Sequence, residues 1–308
     1  MSARRTSAKA RHLLGLAGLS KPDIEKFLKR AEAYRRARAK GHDFGKKRKG
    51  QTLVNLFFEP STRTRVSFEL AAYQLGMSVV NFAAEASSVR KGETLTDTFR
   101  NLAAMGPAAI VVRAAEEGAV ARLAAESPVP VINAGDGAGE HPTQALVDAL
   151  TLMRAKGRLQ GLKVAIIGDI AHSRVARSNF HLLPKFGVKV AAFGPGELMP
   201  KALPPGTARA ASMDEALSGA DAVMMLRIQI ERMKERPLPL HNYHAQFGLH
   251  AKTLALAKKD AVVLHPGPMN RGLEIADEVA DDPKRSLVLE QVANGVAVRM
   301  AVLDLLTR

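Results

Sequence analysis

The chain has 308 residues, 46% of them apolar, with 45 Lys and Arg against 30 Asp and Glu, a formal net charge of +15 and no cysteine. That is enough apolar material for two buried cores, no run approaches the ~18 apolar residues of a membrane span, and disulfides, thiolate metal sites and cysteine nucleophiles are excluded. A globular cytoplasmic enzyme fits, and the positive charge asks for an anionic partner; with only 5% aromatic residues, no Trp and no helix-turn-helix or zinc-finger spacing, nucleic acid fits less well than small anionic substrates.

The N-terminal "MSARRTSAKARHLLGLAGLS" is basic, with no acid before Asp23. Its apolar core is too short and too broken by glycine for a signal sequence, so it reads as a tail leading into the first helix. "GKKRKG", Gly45 to Gly50, reads as a solvated loop. Short β-rich runs then alternate with helical patterns, the signature of parallel α/β sheets. The expected strands are Thr52–Phe58, Ser78–Ala84, Ala108–Ala114 and Val129–Gly135, followed by Lys163–Asp169, Lys189–Pro195, Asp221–Arg227 and Ala261–Gly267. Each series would build one sheet. Between them "HPTQALVDALTLMRAKGRLQG" reads as a connecting helix ended by Gly157 and Gly161, and "LVLEQVANGVAVRMAVLDLL" reads as a long terminal helix.

Nearly every conspicuous polar residue falls just after the carboxyl end of an expected strand, where open α/β sheets bind ligands. Ser61, Thr62, Arg63, Thr64 and Arg65 follow the first strand, and Ser87, Ser88, Arg90 and Lys91 the second. Arg113 ends the third, and His141 and Gln144 follow the fourth. In the second half Arg174 follows "IIGD", Arg227 and Gln229 follow "VMML", and "HPGP" ends the last strand.

Glu59-Pro60 stops the first strand and "STRTRVSFELAAYQLG" carries apolar residues at helical spacing, so Ser61 to Thr64 form a helix N-terminus. Free N–H groups and the positive dipole end bind phosphate there, and an inward Arg63 clamps it bidentately; the competing reading is a hydroxyl cap with two surface arginines. In "HPGPMNRG" the prolines cannot donate, so the turn exposes carbonyls suited to an amide NH2. Gly267-Pro268 is expected to be cis. His141 before a helix start can hydrogen-bond a carbonyl or oxyanion, although a lone histidine also serves structure. His241, His244 and His250 have no acid or cysteine beside them, so no metal is expected, and "GD" after Ile167 is not a dinucleotide fingerprint.

In order, "FFEPSTRTRVSFE", "SSVRKGETLTDT", "INAGDGAGEHPTQALVDALT", "GDIAHSRVARSN", "LRIQIER", "HPGPMNRG" and "QVANGVAVRMAVL" resemble the blocks of bacterial aspartate carbamoyltransferase catalytic chains, from about His12 to Leu306. The resemblance implies an α/β fold of two domains, each a parallel β-sheet flanked by helices, joined by interdomain helices with the active site in the cleft. Residues 1–142, completed by a C-terminal helix over 287–308, would bind carbamoyl phosphate, and 143–286 aspartate. It implies that Ser61, Thr62, Arg63, Thr64 and Arg113 hold the phosphate, and that Thr64, Arg113 and His141 meet the carbamoyl oxygen. Gln144 and the backbone at Pro266 and Gly267 hold the carbamoyl nitrogen, and Arg174, Arg227 and Gln229 the carboxylates of aspartate. Ser87, Ser88 and Lys91 resemble a loop that enters a neighbouring subunit's site in a homotrimer, with Lys91 serving catalysis and aspartate.

No cofactor, nucleic acid or membrane is implied; a regulatory or dihydroorotase-like chain is left open. The implied role is the committed step of pyrimidine synthesis. An ornithine enzyme would share the phosphate motif, but Arg227, Gln229 and Gly267 suit an acidic acceptor. A basic scaffold or RNA-binding protein would need no such converging set. One departure stands out: Ala114-Ala115 follows Arg113 where the family commonly has His-Pro, which bears on how Arg113 is positioned.

Overall fold

In the computed structural model, which describes residues 12–83, 92–229 and 242–307, two units each carry one parallel sheet. The first comprises the described residues through Gly15, Lys29–Thr143 and the stretch from Val296; the second comprises Leu16–Leu28 and Gln144–Gly295. This differs from the expected boundaries in two places, Leu16–Leu28 and the first turns of the terminal helix. The side chain of Lys185 donates to the carbonyls of Leu16, Ala17 and Leu19 at 2.6–2.9 Å, and the ammonium of Lys21 lies over the Phe186 ring, so the early segment is fastened to the second unit.

The chain returns to the first unit within helix α1 (Lys21–Ala39), at Lys29. Strands β1 (Thr52–Phe57), β2 (Ser78–Ala83), β3 (Ala109–Ala114) and β4 (Val131–Asp136) alternate with helices α2 (Thr62–Gln74), α3 (Leu95–Ala104) and α4 (Ala119–Ala125), in spatial order β2-β1-β3-β4. β1 and β3 are buried almost end to end, as parallel strands covered on both faces must be, and Leu56, Ile110, Val112, Val120 and Leu123 join in one core. The buried polar residue within β1, Asn55, donates from its side-chain NH2 to Asn81 on β2 at 2.9 Å, pairing a donor that burial would otherwise penalise.

In the second unit, α5 (Pro142–Lys156) leads to β5 (Lys163–Ile167), α6 (Arg174–Leu182), β6 (Lys189–Phe193), β7 (Thr207–Arg209), α7 (Met213–Leu217), β8 (Ala222–Met225), α8 (Tyr243–Phe247), α9 (Ala251–Leu254), β9 (Val262–Leu264), α10 (Asp277–Ala280) and α11 (Val288–Leu306). The sheet order is β7-β6-β5-β8-β9. Ile167, Val223, Met225, Leu249 and Val263 form its core. Strand β7 had no counterpart in the sequence reading: its three residues are half-buried or exposed, so no apolar run marks it. Several expected strands ran past the observed ends, into Phe58, Gly168-Asp169, Leu226-Arg227 and His265-Gly267, because at those points the backbone leaves the ladder to present polar groups.

The basic loop "GKKRKG" is only partly a solvated one. Lys46 and Lys49 are exposed, but Arg48 reaches into the first unit and donates to both the carbonyl and the carboxylate of Asp304, at 2.6 and 2.5 Å. Arg30 and Lys47 lie 3.5 Å from the same carboxylate, which is almost fully buried. An acid near the end of α11 opposes the helix dipole, and the three cations offset it. Asp304→Asn is expected to destabilise the first unit by about 3 kcal/mol, because it strands half-buried Arg48; chemical denaturation measures this, and an unchanged midpoint would contradict the clamp.

Candidate active site

In the first sheet the winding reverses between β1 and β3, so the crevice at their carboxyl ends is the switch point at which such sheets take ligands. The register pairs Phe57 with Arg113, bringing the start of α2 and the guanidinium of Arg113 to the same end of adjacent strands. Ser61 is the cap residue of α2 in extended conformation, and its side chain makes no capping bond, contrary to the hydroxyl cap of the competing reading, whereas Arg63 and Arg65 are both exposed, as that reading had them and unlike the inward Arg63 expected. Thr62 and Arg63 are exposed and Thr64 is buried on the first turn. From the next strand's loop comes His141, also buried, with Nε2 3.4 Å from Thr64 Oγ1. Asn133 fixes that loop: its side chain accepts from Gly135 N at 2.7 Å and donates to Leu14 O and Glu140 O at 2.7 and 3.2 Å.

Despite Ala114-Ala115, Arg113 is anchored. Its Nε lies 3.2 Å from Glu59 Oε2 and its Nη1 donates to Ala134 O at 3.4 Å. Meanwhile the carbonyl of Ala114 accepts from Gly137 N at 3.0 Å. Ser87, Ser88 and Lys91 lie outside the described residues.

The second sheet reverses between β5 and β8, where Ile167 pairs with Met225. Gly168 then turns with φ +125°, and a Cβ there would meet Leu226 O at 2.5 Å, so only glycine lets the two strand ends approach. Fully buried Asp169 gathers the two loops: it accepts from His172 N at 3.2 Å and from Gln229 N at 3.0 Å, with His172 Nδ1 at 2.8 Å. Ser173 caps α6 by accepting from Ala176 N at 3.1 Å, which makes buried Arg174 its first residue. Arg227 is half-buried and donates to Ile228 O at 3.3 Å. Ile228 packs inward against Leu198 and Tyr243. Arg227 and Gln229, on either side of it, are only half-buried. Burial, then the charges of Glu274 and Asp169, push the Tyr243 phenol above its ordinary range, so it stays neutral at physiological pH.

The loop after β9 is fixed by two glutamate-family side chains. His265 N donates to Gln291 Oε1 at 2.9 Å, and Gly267 N donates to His265 Nδ1 at 2.9 Å. With Nδ1 accepting, Nε2 carries the proton toward Glu274 Oε1, 3.3 Å away. Glu274 also accepts from Asn270 N at 2.5 Å. Gly267 sits at φ +65° and Gly267-Pro268 is cis. Pro266 and Gly267 thus occupy a turn with no donor at either proline. Gln144, on the first turn of α5, donates from Nε2 to Asp148 Oδ1 at 2.9 Å, leaving its carbonyl oxygen as the remaining acceptor.

Three acids escaped the sequence reading: Glu59, Asp169 and Glu274. Only the first two carried a signal, their position at a strand's carboxyl end. Among the described residues no three His, Asp or Glu side chains gather to hold a metal; His244 and His250 approach with ring centroids 5.6 Å apart, while His244 Nδ1 is 3.0 Å from Leu273 O. No described helix is long and apolar enough to cross a membrane.

Comparison with known proteins adds four findings. The chain is similar to the aspartate carbamoyltransferase catalytic subunit of Rhodospirillum rubrum, 54% identical over 299 residues, 96% of this chain and 94% of the relative. Its fold is similar to that of Trypanosoma cruzi aspartate transcarbamoylase solved with carbamoyl phosphate and aspartate, with a TM-score of 0.87 and 33% identity over 96% of each chain. It is also similar to Thermus thermophilus ornithine carbamoyltransferase, with a TM-score of 0.84 and 30% identity over 96% of this chain and 99% of that one. Residues 11–154 match the carbamoyl-P binding domain of the aspartate/ornithine carbamoyltransferases and residues 160–306 their Asp/Orn binding domain, so the chain belongs to the aspartate/ornithine carbamoyltransferase family.

Proposed function

We propose that the protein is an aspartate carbamoyltransferase. It moves the carbamoyl group of carbamoyl phosphate to the amine of L-aspartate, releasing phosphate and N-carbamoyl-L-aspartate, the committed step of pyrimidine synthesis, in the cytoplasm. The supporting observation is that cationic and hydroxyl side chains gather at both switch points. Ser61, Thr62, Arg63, Thr64 and Arg113 belong to the first, and Arg174, Arg227 and Gln229 to the second.

The phosphate takes the free N–H groups of the first turn of α2 and the Arg63 fork. Thr64, Arg113 and His141 then face the carbamoyl oxygen, while Gln144 and the Pro266-Gly267 turn accept from its NH2. Arg174, Arg227 and Gln229 bind the two carboxylates of aspartate. Fixed cations offset the mutual repulsion of two anionic substrates. The aspartate amine attacks the carbamoyl carbon, and negative charge develops on the carbonyl oxygen. Each donor already aimed there contributes about 3 kcal/mol. The C–O bond to phosphate then breaks, and the departing phosphate takes the proton from the amine, so no separate base is required. Because the family includes ornithine enzymes, the acceptor rests on Arg227 and Gln229, which answer a carboxylate, and on the charge of Arg227, which would repel a cationic side chain.

The enzyme acts as a homotrimer in which Ser87, Ser88 and Lys91 serve the neighbouring site, a heterologous ring that closes at three copies. Val66, Leu70 and Tyr73 on α2, with Val80 on β2, expose an apolar stripe suited to a second copy. Lys91→Ala and Arg63→Ala proteins, each nearly inactive, should regain activity when mixed and reassembled, because some hybrid sites carry neither change. No recovery after verified subunit exchange would refute sharing. The reaction itself is tested by incubating carbamoyl phosphate with aspartate: carbamoylaspartate and phosphate should form in equal amounts, and phosphate release without carbamoylaspartate would sink the proposal.

A further inference from the structure

Three side-chain amides converge on Asp148, which is fully buried on α5. Gln144 Nε2 donates to Oδ1 at 2.9 Å, Gln291 Nε2 to the same oxygen at 2.8 Å, and Asn179 Nδ2 to Oδ2 at 2.8 Å. A carboxylate that only accepts forces each amide to turn its NH2 inward and fixes where its carbonyl oxygen points. For Gln291 that oxygen accepts from His265 N, at the entrance to the Pro266-Gly267 turn. For Gln144 it leaves Oε1 as the end turned away from Asp148.

We propose that Asp148 is a positioning residue for the carbamoyl amine: it sets Gln144 Oε1 directly, and the carbonyl-rich turn through Gln291 and His265, as acceptors for an NH2 group. The inference rests on the transfer reaction proposed above. It makes Asp148 the source of discrimination between carbamoyl phosphate and acetyl phosphate, in which a methyl group replaces the NH2 and cannot donate. A site built from oriented acceptors penalises the partner that leaves them unpaired.

Asp148→Asn keeps the shape but turns one oxygen into a donor. At the Oδ2 position the new NH2 would face Asn179, and at Oδ1 it would face both Gln144 and Gln291. Asn179 is held by a second bond to Val175 O, which favours the new NH2 at Oδ1; there Gln291 is held by the bond from His265 N, whereas Gln144 is half-buried at the head of α5. Gln144 therefore reverses, presenting NH2 to NH2, and Gln291 loses its acceptor at position 148. Calorimetric titration of the variant should show Kd for carbamoyl phosphate raised roughly ten- to a hundredfold, with Kd for acetyl phosphate shifted less than about threefold. Equal weakening of both ligands is what a merely structural residue gives, and it would overturn the role, as would an unchanged pair of constants.

Should Asp148→Asn fail to fold, Gln291→Met reads the second arm, because it cuts the link from Asp148 to His265. It too should weaken carbamoyl phosphate selectively, and a wild-type ratio of the two constants would overturn the proposal. Wild-type protein that forms no carbamoylaspartate overturns the reaction itself; wild-type turnover with an unchanged ratio in the variants overturns only the role of Asp148.

Discussion

Replacing Arg63 with alanine is expected to lower kcat/KM for carbamoyl phosphate about a thousandfold while leaving the thermal midpoint near that of the parent. Two charge-assisted hydrogen bonds to a phosphate are together worth about 4 kcal/mol. At about 1.4 kcal/mol per factor of ten, that gives the expected loss. Little stability should go with it, because Arg63 is exposed on the first turn of α2 and the helix is anchored by Thr64, Ser67, Phe68, Ala71 and Ala72 beneath it. Arg63→Lys keeps the charge but not the fork, so it should recover only part of the loss. Near-normal kcat/KM in Arg63→Ala would leave the phosphate to the backbone and hydroxyls alone.

The second large effect is expected at Arg227, and it should fall on the other substrate. Arg227→Ala should raise KM for aspartate about a hundredfold, the worth of one charge-assisted hydrogen bond of about 3 kcal/mol, and leave KM for carbamoyl phosphate nearly unchanged. The backbone there does not depend on the arginine: Ile228 is packed against Leu198 and Tyr243, and Gln229 N is held by Asp169. The loss can therefore be assigned to the side chain. An equal rise in both KM values would mean that Arg227 does not separate the two substrates.

What could be read in advance follows from how far apart in the chain the partners lie. The buried parallel strands were legible because each is a short apolar run, and the proposed site residues were singled out because each follows such a run. Helix α2 was legible because Phe68, Ala71 and Ala72 recur at helical spacing behind Ser61. Contacts between distant residues left no such trace. Of the three amides on Asp148, only Gln144 lies at the helical spacing of four; the other two are 31 and 143 positions away. Arg48 finds Asp304 at a separation of 256, so a basic loop that looks solvated in sequence proves to be half clamp. Glu59 sits beside the phosphate motif, but its pairing with Arg113 depends on the register of β1 against β3.

The two sheets also explain why the acceptor is a sharper question than the donor. In the proposed function the phosphate half rests on the Ser61–Arg65 motif in the first unit, whereas the choice of amine rests on Arg227 and Gln229 in the second. The most direct measurement is therefore a steady-state comparison of carbamoyl phosphate with L-aspartate and with L-ornithine. The account predicts that kcat/KM for aspartate exceeds that for ornithine by about a thousandfold or more, since ornithine offers one carboxylate where aspartate offers two and brings a cationic side chain instead of the second; equal or greater turnover with ornithine would contradict it.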